Sequence, residues 1–214
     1  MAGGFLTAAA LCALLVGPAD AAKVKGIIIY DKAKGYALTI PATWKPIPRT
    51  EAQVKATIAT LKKTKSTVAL AKYYQSIIST PDGRSGLTAY RFQAFAWPLP
   101  ANSSPLPTEV SLEVAKLPKP LKSSDFPSLG AAFANNLAAE KGAKVTVPKV
   151  VTLPAGKAEF IEATIPAGEG LQYGFELYLI PHGRRLYNLT FQIDARYLQQ
   201  ATLFSSIAHQ FKVL

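Results

Sequence analysis

The sequence predicts an α+β fold, an antiparallel sheet with helices on its faces, and three features of its last third predict it. Apolar side chains recur at every second position in Leu171, Tyr173, Phe175, Leu177 and Leu179, and again in Tyr187, Leu189, Phe191 and Ile193. Alternation of this kind marks half-buried strands. Between the two runs lie Pro181, His182, Gly183, Arg184 and Arg185, short enough for a hairpin and holding a glycine able to take positive φ. The period then changes. Behind Asp194, a candidate N-cap, Leu198, Ala201, Phe204, Ile207, Ala208 and Phe211 follow at three- and four-residue steps, so a helix is expected to lie across the sheet.

From the start of the chain, Phe5 to Val16 form an apolar core followed by Gly17, Pro18 and the small-residue pattern Ala19-Asp20-Ala21. That pattern predicts a signal peptide over residues 1–21 and a single domain over 22–214. The apolar core is too short to span a bilayer, which takes roughly 20 residues, although no Lys or Arg precedes it. Leu11 before Cys12 lacks the small residue of a lipoprotein signal, and cleavage leaves a mature chain without cysteine. Disulfides, thiolate nucleophiles and Cys-ligated metals are then excluded from it.

Residues 27–30 and 36–40 read as a first hairpin, with Trp44 behind it as a core anchor. Thr50 with Gln53 makes a capping box for a helix carrying Val54, Ile58 and Leu61, and a second helix is expected over 66–78, ended by a turn at Pro81-Asp82-Gly83. Residues 87–97 carry aromatics on both faces and predict a long central strand. Residues 98–107, with three prolines, read as a surface loop. Val110 to Ala115 suggest a short strand that Pro118 and Pro120 would confine to an edge. Asp125 is expected to cap a helix running to Gly142, and residues 144–153 and 157–165 to form two strands joined at Pro154-Ala155-Gly156.

Three stretches carry a family likeness: 35–41 (Gly-Tyr-Ala-Leu-Thr-Ile-Pro) with Trp44, then 152–158 (Thr-Leu-Pro-Ala-Gly-Lys-Ala), then 187–191 (Tyr-Asn-Leu-Thr-Phe) with the closing segment 207–213. In these the chain resembles the Mog1p/PsbP-like family, in particular its small exported bacterial members. The resemblance implies an α/β/α sandwich around an antiparallel sheet and an accessory or binding role without enzymatic activity. It names no ligand.

The residues themselves offer little catalytic machinery. Only His182 and His209 are present, and there is no His-Glu-x-x-His pair, Gly-x-Ser-x-Gly elbow, Walker loop or dinucleotide fingerprint. The carboxylates are scattered, with Glu159 and Glu162 too far apart to share a strand face. Charge is more informative: once Asp20 leaves with the signal, 12 acids face 24 Lys and Arg. Lys45, Arg49, Lys55, Lys62, Lys63, Lys65 and Lys72 fall between Trp44 and Ser76 with Glu51 as the lone acid. Lys55, Lys62, Lys63, Lys65 and Lys72 are therefore the candidate binding residues for an anionic surface, weighed against the plainer reading of a solvated helix face. The expected export, and the lack in this run of exposed aromatics clearly placed to stack bases, argue against nucleic acid.

The function these features predict is an exported, non-enzymatic binding or accessory module. It is expected to act as a monomer on a protein or cell-envelope partner, with no cofactor and no metal. Two other readings stand beside it: peripheral binding of anionic lipid or polymer through the basic helical region, and a hydrolase with an unrecognised Ser–His site.

Overall fold

The computed structural model describes residues 24–97, 106–200 and 202–214. The expected signal peptide and most of the proline-rich loop lie outside the described residues. Strands β1 (Gly26–Asp31) and β2 (Tyr36–Pro41) form the first hairpin, paired from Gly26 opposite Pro41 to Asp31 opposite Tyr36. In its turn Asp31 Oδ1 accepts from the Lys34 amide at 3.0 Å, and Gly35 takes a φ of 70°. Trp44 is 2% exposed, the core anchor expected of it, and leads into the two-residue strand β3 (Lys45–Pro46). Helix α1 (Glu51–Leu61) starts where the Thr50 hydroxyl accepts from the Gln53 amide. Helix α2 (Val68–Ser79) folds back on it, and Val54, Ile58, Leu70 and Tyr74 fill the space between.

The next stretch departs from the sequence reading. Residues 81–83 are not a terminating turn but the start of a third helix, α3 (Pro81–Ala89). Pro81 presets a helical φ at a position whose missing N–H costs nothing, and the Arg84 amide donates to the Thr80 carbonyl at 3.1 Å. The expected strand over 87–97 therefore shrinks to β4 (Phe92–Phe95). Strand β5 (Glu109–Lys116) is longer than expected and is not an edge, because it pairs with β4 on one side and a later strand on the other. Pro118 and Pro120 fall beyond its last pair and never enter the ladder.

Helix α4 (Phe126–Ala138) follows a 3₁₀ turn. Asp125 does not cap α4 through its side chain; its carboxylate instead accepts from the Lys122 amide at 2.8 Å and closes that preceding turn. The helix ends before Gly142, whose φ is 82°. The strand expected over 144–153 is split into β6 (Lys144–Val145) and β7 (Lys149–Leu153) with Pro148 between them. Long strands β8 (Gly156–Gly168), β9 (Leu171–His182) and β10 (Arg185–Asp194) then run as a meander. The final helical segment is a 3₁₀ turn, Ala195–Gln200, leading into α5 (Thr202–Ala208) and a last strand, β11 (Lys212–Val213). Asp194 marks its start, accepting from the Arg196 amide at 3.0 Å.

Two antiparallel sheets result. The larger runs β3-β4-β5-β10-β9-β8-β6, with β7 also paired to β8; the smaller is β1-β2-β11. The main core lies between one face of the large sheet and a cover made of the small sheet and α5, and it contains Leu38, Ile40, Trp44, Leu112, Leu189 and Phe204. Phe191 and Phe204 stack at 4.8 Å, while Phe211 packs on Tyr36 and Tyr187 at 6.1 and 5.4 Å. On the opposite face α4 covers Ile161, Leu177 and Leu179, and α2 places Tyr73 and Tyr74 around Phe95. Helices thus flank the antiparallel sheet on both faces, as the sequence predicts. Strand β9 exceeds its half-buried reading: Tyr178 and Ile180 are buried on one side and Leu177 and Leu179 on the other, since it lies between β8 and β10.

Candidate functional site

The five candidate lysines are all exposed. Lys62, Lys63 and Lys65 gather in the turn and 3₁₀ segment that join α1 to α2, with Lys72 one turn into α2. Lys55 is in an ion pair with Glu51, Nζ to Oε1 at 2.6 Å, one helical turn away. None of the cavities described below is lined by this tip of the helical hairpin.

A second cationic group was invisible in the linear sequence because the fold assembles it from three separate segments. The β9–β10 hairpin carries His182, Arg184 and Arg185, β5 ends in Lys116, and the β1–β2 turn brings Lys34. Together they line a concave basin of about 420 Å³ that Leu214, the last residue of the sequence and bearer of an α-carboxylate, also lines, while no side-chain carboxylate does. Register explains the crowding. Arg185 is the partner of Lys116 on one side and of His182 on the other, so three basic side chains stand in a row across β5, β10 and β9. Like charges directly opposite each other on neighbouring strands are unfavourable, and Lys116 and Arg185 make such a pair with no acid in the row.

The guanidinium groups are held rather than free. Arg185 Nη1 donates to the Lys34 carbonyl at 2.7 Å and Nη2 to the Ala33 carbonyl at 3.3 Å, while Arg184 Nη2 donates to the Pro118 carbonyl at 2.7 Å. Tyr187 Oη, beneath them, donates to the Lys34 and Gly35 carbonyls at 2.9 and 3.2 Å. Carbonyls fix a guanidinium in place without neutralising it. The basin is therefore a preorganised positive concavity, which suits oxyanions and which a flexible lysine cluster matches only after losing side-chain entropy.

The Ser–His alternative meets a specific geometry. His209, just past α5, places Nδ1 2.8 Å from the Ser205 carbonyl and 3.5 Å from the Ser205 hydroxyl. A carbonyl only accepts, so Nδ1 carries the ring proton, and the nitrogen nearest the hydroxyl is not a base for it. His182 sits in the basin instead. Among the described residues no three His, Cys, Asp or Glu side chains form a group able to hold a metal ion.

The scattered carboxylates do produce one pair that the sequence reading missed. Glu162 on β8 is the register partner of Glu176 on β9, and both line a cavity of about 440 Å³ beside α5. Glu176 is 8% exposed. Burial, with a smaller contribution from Glu162, pushes its carboxyl up to about 7, against the hydrogen bond from Tyr178, which pulls it down. Elsewhere Tyr73 Oη donates to Glu109 Oε1 at 2.6 Å, joining α2 to β5, and burial raises Glu109 above the usual carboxylate range.

With this geometry in place, comparison with known proteins adds the following. The solution structure of cyanobacterial PsbP (CyanoP) from Synechocystis sp. PCC 6803 is similar over 93% of this chain and 99% of that one, at 12% identity and a TM-score of 0.49. LpqN of Mycobacterium tuberculosis, described as involved in cell envelope biogenesis, is similar over 83% of this chain and 82% of its own, at 14% identity and a TM-score of 0.45. A protein from Bacteroides thetaiotaomicron VPI-5482 matches 88% of this chain at 7% identity and a TM-score of 0.45, and the match spans 48% of that longer chain. No protein-family profile and no curated protein sequence matches.

Proposed function

We propose that this protein is an exported, non-enzymatic binding module that takes an anionic group of a cell-envelope partner into the basin at its β9–β10 end. The observation that carries the reading is the row of Lys116, Arg185 and His182 across three strands, joined by Lys34 and Arg184 around one concavity. Export is supported by the apolar core and small-residue pattern at the start of the sequence. A non-enzymatic role is supported by the protonated face that His209 turns to Ser205. The lysines at the α1–α2 tip supply a second, diffuse positive surface in the same reading, able to add long-range attraction without a shaped receptor.

The test is sedimentation of the chain lacking residues 1–21 with phosphatidylcholine vesicles holding a graded share of phosphatidylglycerol. Binding is expected to rise with anionic content and fall with salt. The double variant Lys34→Glu/Lys116→Glu is expected to lose most of it, and Lys62→Glu/Lys63→Glu/Lys65→Glu to keep a larger share. Equal loss in both variants would remove the basin as receptor, and binding indifferent to salt and lipid charge would remove the anionic partner altogether.

A further inference from the structure

The Glu162–Glu176 cavity breaks two ordinary rules of sheet structure. Carboxylates directly opposite on adjacent strands, some 4.5–5.5 Å apart at Cβ, repel, and a carboxylate withdrawn from water needs a cation or several donors to be tolerated. Glu176 receives one hydrogen bond, from Tyr178 Oη to Oε2 at 3.1 Å. The chain carries 24 Lys and Arg, yet no Lys or Arg lines this cavity. Among the described residues the ion pairs are Lys55 with Glu51 and Arg196 with Asp194, so neither glutamate has a Lys or Arg partner among them. The walls beside them are apolar: Val151, Leu153, Phe160 and Leu198.

We propose that this cavity is a binding site for a small organic cation, a primary ammonium or amidinium group carried on an apolar or aromatic body. The cationic head sits between the Glu162 and Glu176 carboxylates, and the body lies against Phe160 and Leu198. A bare divalent ion fits poorly, since hard cations gather six or more oxygen ligands, and although His209 lines the same cavity, no three His, Cys, Asp or Glu side chains among the described residues come together to hold a metal ion. A head with several N–H donors matches two carboxylates and a phenol, and an apolar body recovers the hydrophobic contact that the walls offer. The site is separate from the basic basin and stands or falls independently of it.

Proton linkage provides a readout that simple packing would not. The groups facing Glu176 are Glu162 from β8, Tyr178 from its own strand and His209 beside α5. Glu176 must be ionised to hold an ammonium head, so binding is expected to release a proton below neutrality and to strengthen as pH rises from 6 to 8. The experiment is titration of the chain lacking residues 1–21 with benzylamine, with benzyl alcohol as the neutral isostere, followed by amide NMR shifts and by calorimetry in two buffers of different ionisation heat. Benzylamine is expected to shift the amides of β8, β9 and α5 and to bind about tenfold or more tightly than benzyl alcohol, the scale of a hydrogen bond to a charged group. Glu176→Gln is expected to lose that margin together with the pH dependence while keeping the dispersed amide NMR spectrum of the wild type, which shows that it folds. Glu162→Gln, more exposed and safer for folding, is expected to lose part of the margin. Equal affinity for amine and alcohol, an affinity unchanged in both variants, or shifts confined to other surfaces would overturn the proposal.

Discussion

Single side chains carry two separable duties here, and Tyr187 and Glu176 illustrate them. Tyr187 is fully buried and spends its hydroxyl on the Lys34 and Gly35 carbonyls, fastening the β1–β2 turn over the large sheet. Tyr187→Phe is expected to cost about 1 kcal/mol in urea unfolding, the net worth of a buried hydrogen bond, and to loosen the placement of Lys34 in the basin. Glu176 works against stability. Its carboxyl rises from an ordinary 4.5 to about 7 on folding, so between those pH values the folded state keeps a proton that the unfolded state has lost. Stability from this group is greatest below pH 4.5, declines as pH rises and is fully lost above pH 7, a change on the order of 3 kcal/mol. Glu176→Gln removes that slope. Chemical denaturation of both proteins from pH 4 to 8 should show the variant gaining steadily on the wild type; a difference independent of pH would contradict the assignment.

At the scale of elements, close approach decides what the sequence leaves open. Helix α4 lies so near the sheet that a Cβ on Gly130 would come within 2.8 Å of both Glu159 Oε2 and Pro148 Cβ. Gly130→Ala is therefore expected to destabilise by about 1–3 kcal/mol despite the better helix propensity of alanine, measurable as a shifted urea midpoint with unchanged slope. Periodicity made the β8–β10 meander, the Thr50 cap and the core role of Trp44 legible, because each rests on neighbours within a few residues. It misplaced the stretch 81–97, where Pro81 opens a helix and the aromatics of 90–97 suggested a longer strand. It misjudged β5 for another reason. Edge or centre is a property of partners, and the pairing of Val110 with Phe191 or of Leu112 with Leu189 leaves no trace in the local pattern beyond apolar alternation. The same limit hid the small sheet, which closes only when Lys212 meets Ala37.

For the molecule as a whole, charge is sorted by the fold and not by the sequence. The lysine-rich run after Trp44 was the visible cluster, yet it ends as exposed side chains on α1, α2 and the turn between them, lining neither cavity. The basin draws Lys34, Lys116 and Arg185 from positions tens of residues apart, and the acid pair joins Glu162 to Glu176 only through the β8–β9 register. Both signs of site thus arise at register pairs that a sheet ordinarily avoids, and both lie on the face of the large sheet that the small sheet and α5 only partly cover. Local consistency elsewhere makes these departures informative. The most direct test of the account is an amide NMR titration of the chain lacking residues 1–21 with short-chain phosphatidylglycerol bicelles at low and physiological salt. The account predicts salt-sensitive shifts concentrated at Lys34, Lys116 and residues 182–185, with weaker ones at Lys62 to Lys65. Shifts confined to the α1–α2 tip, or none at either place, would contradict it.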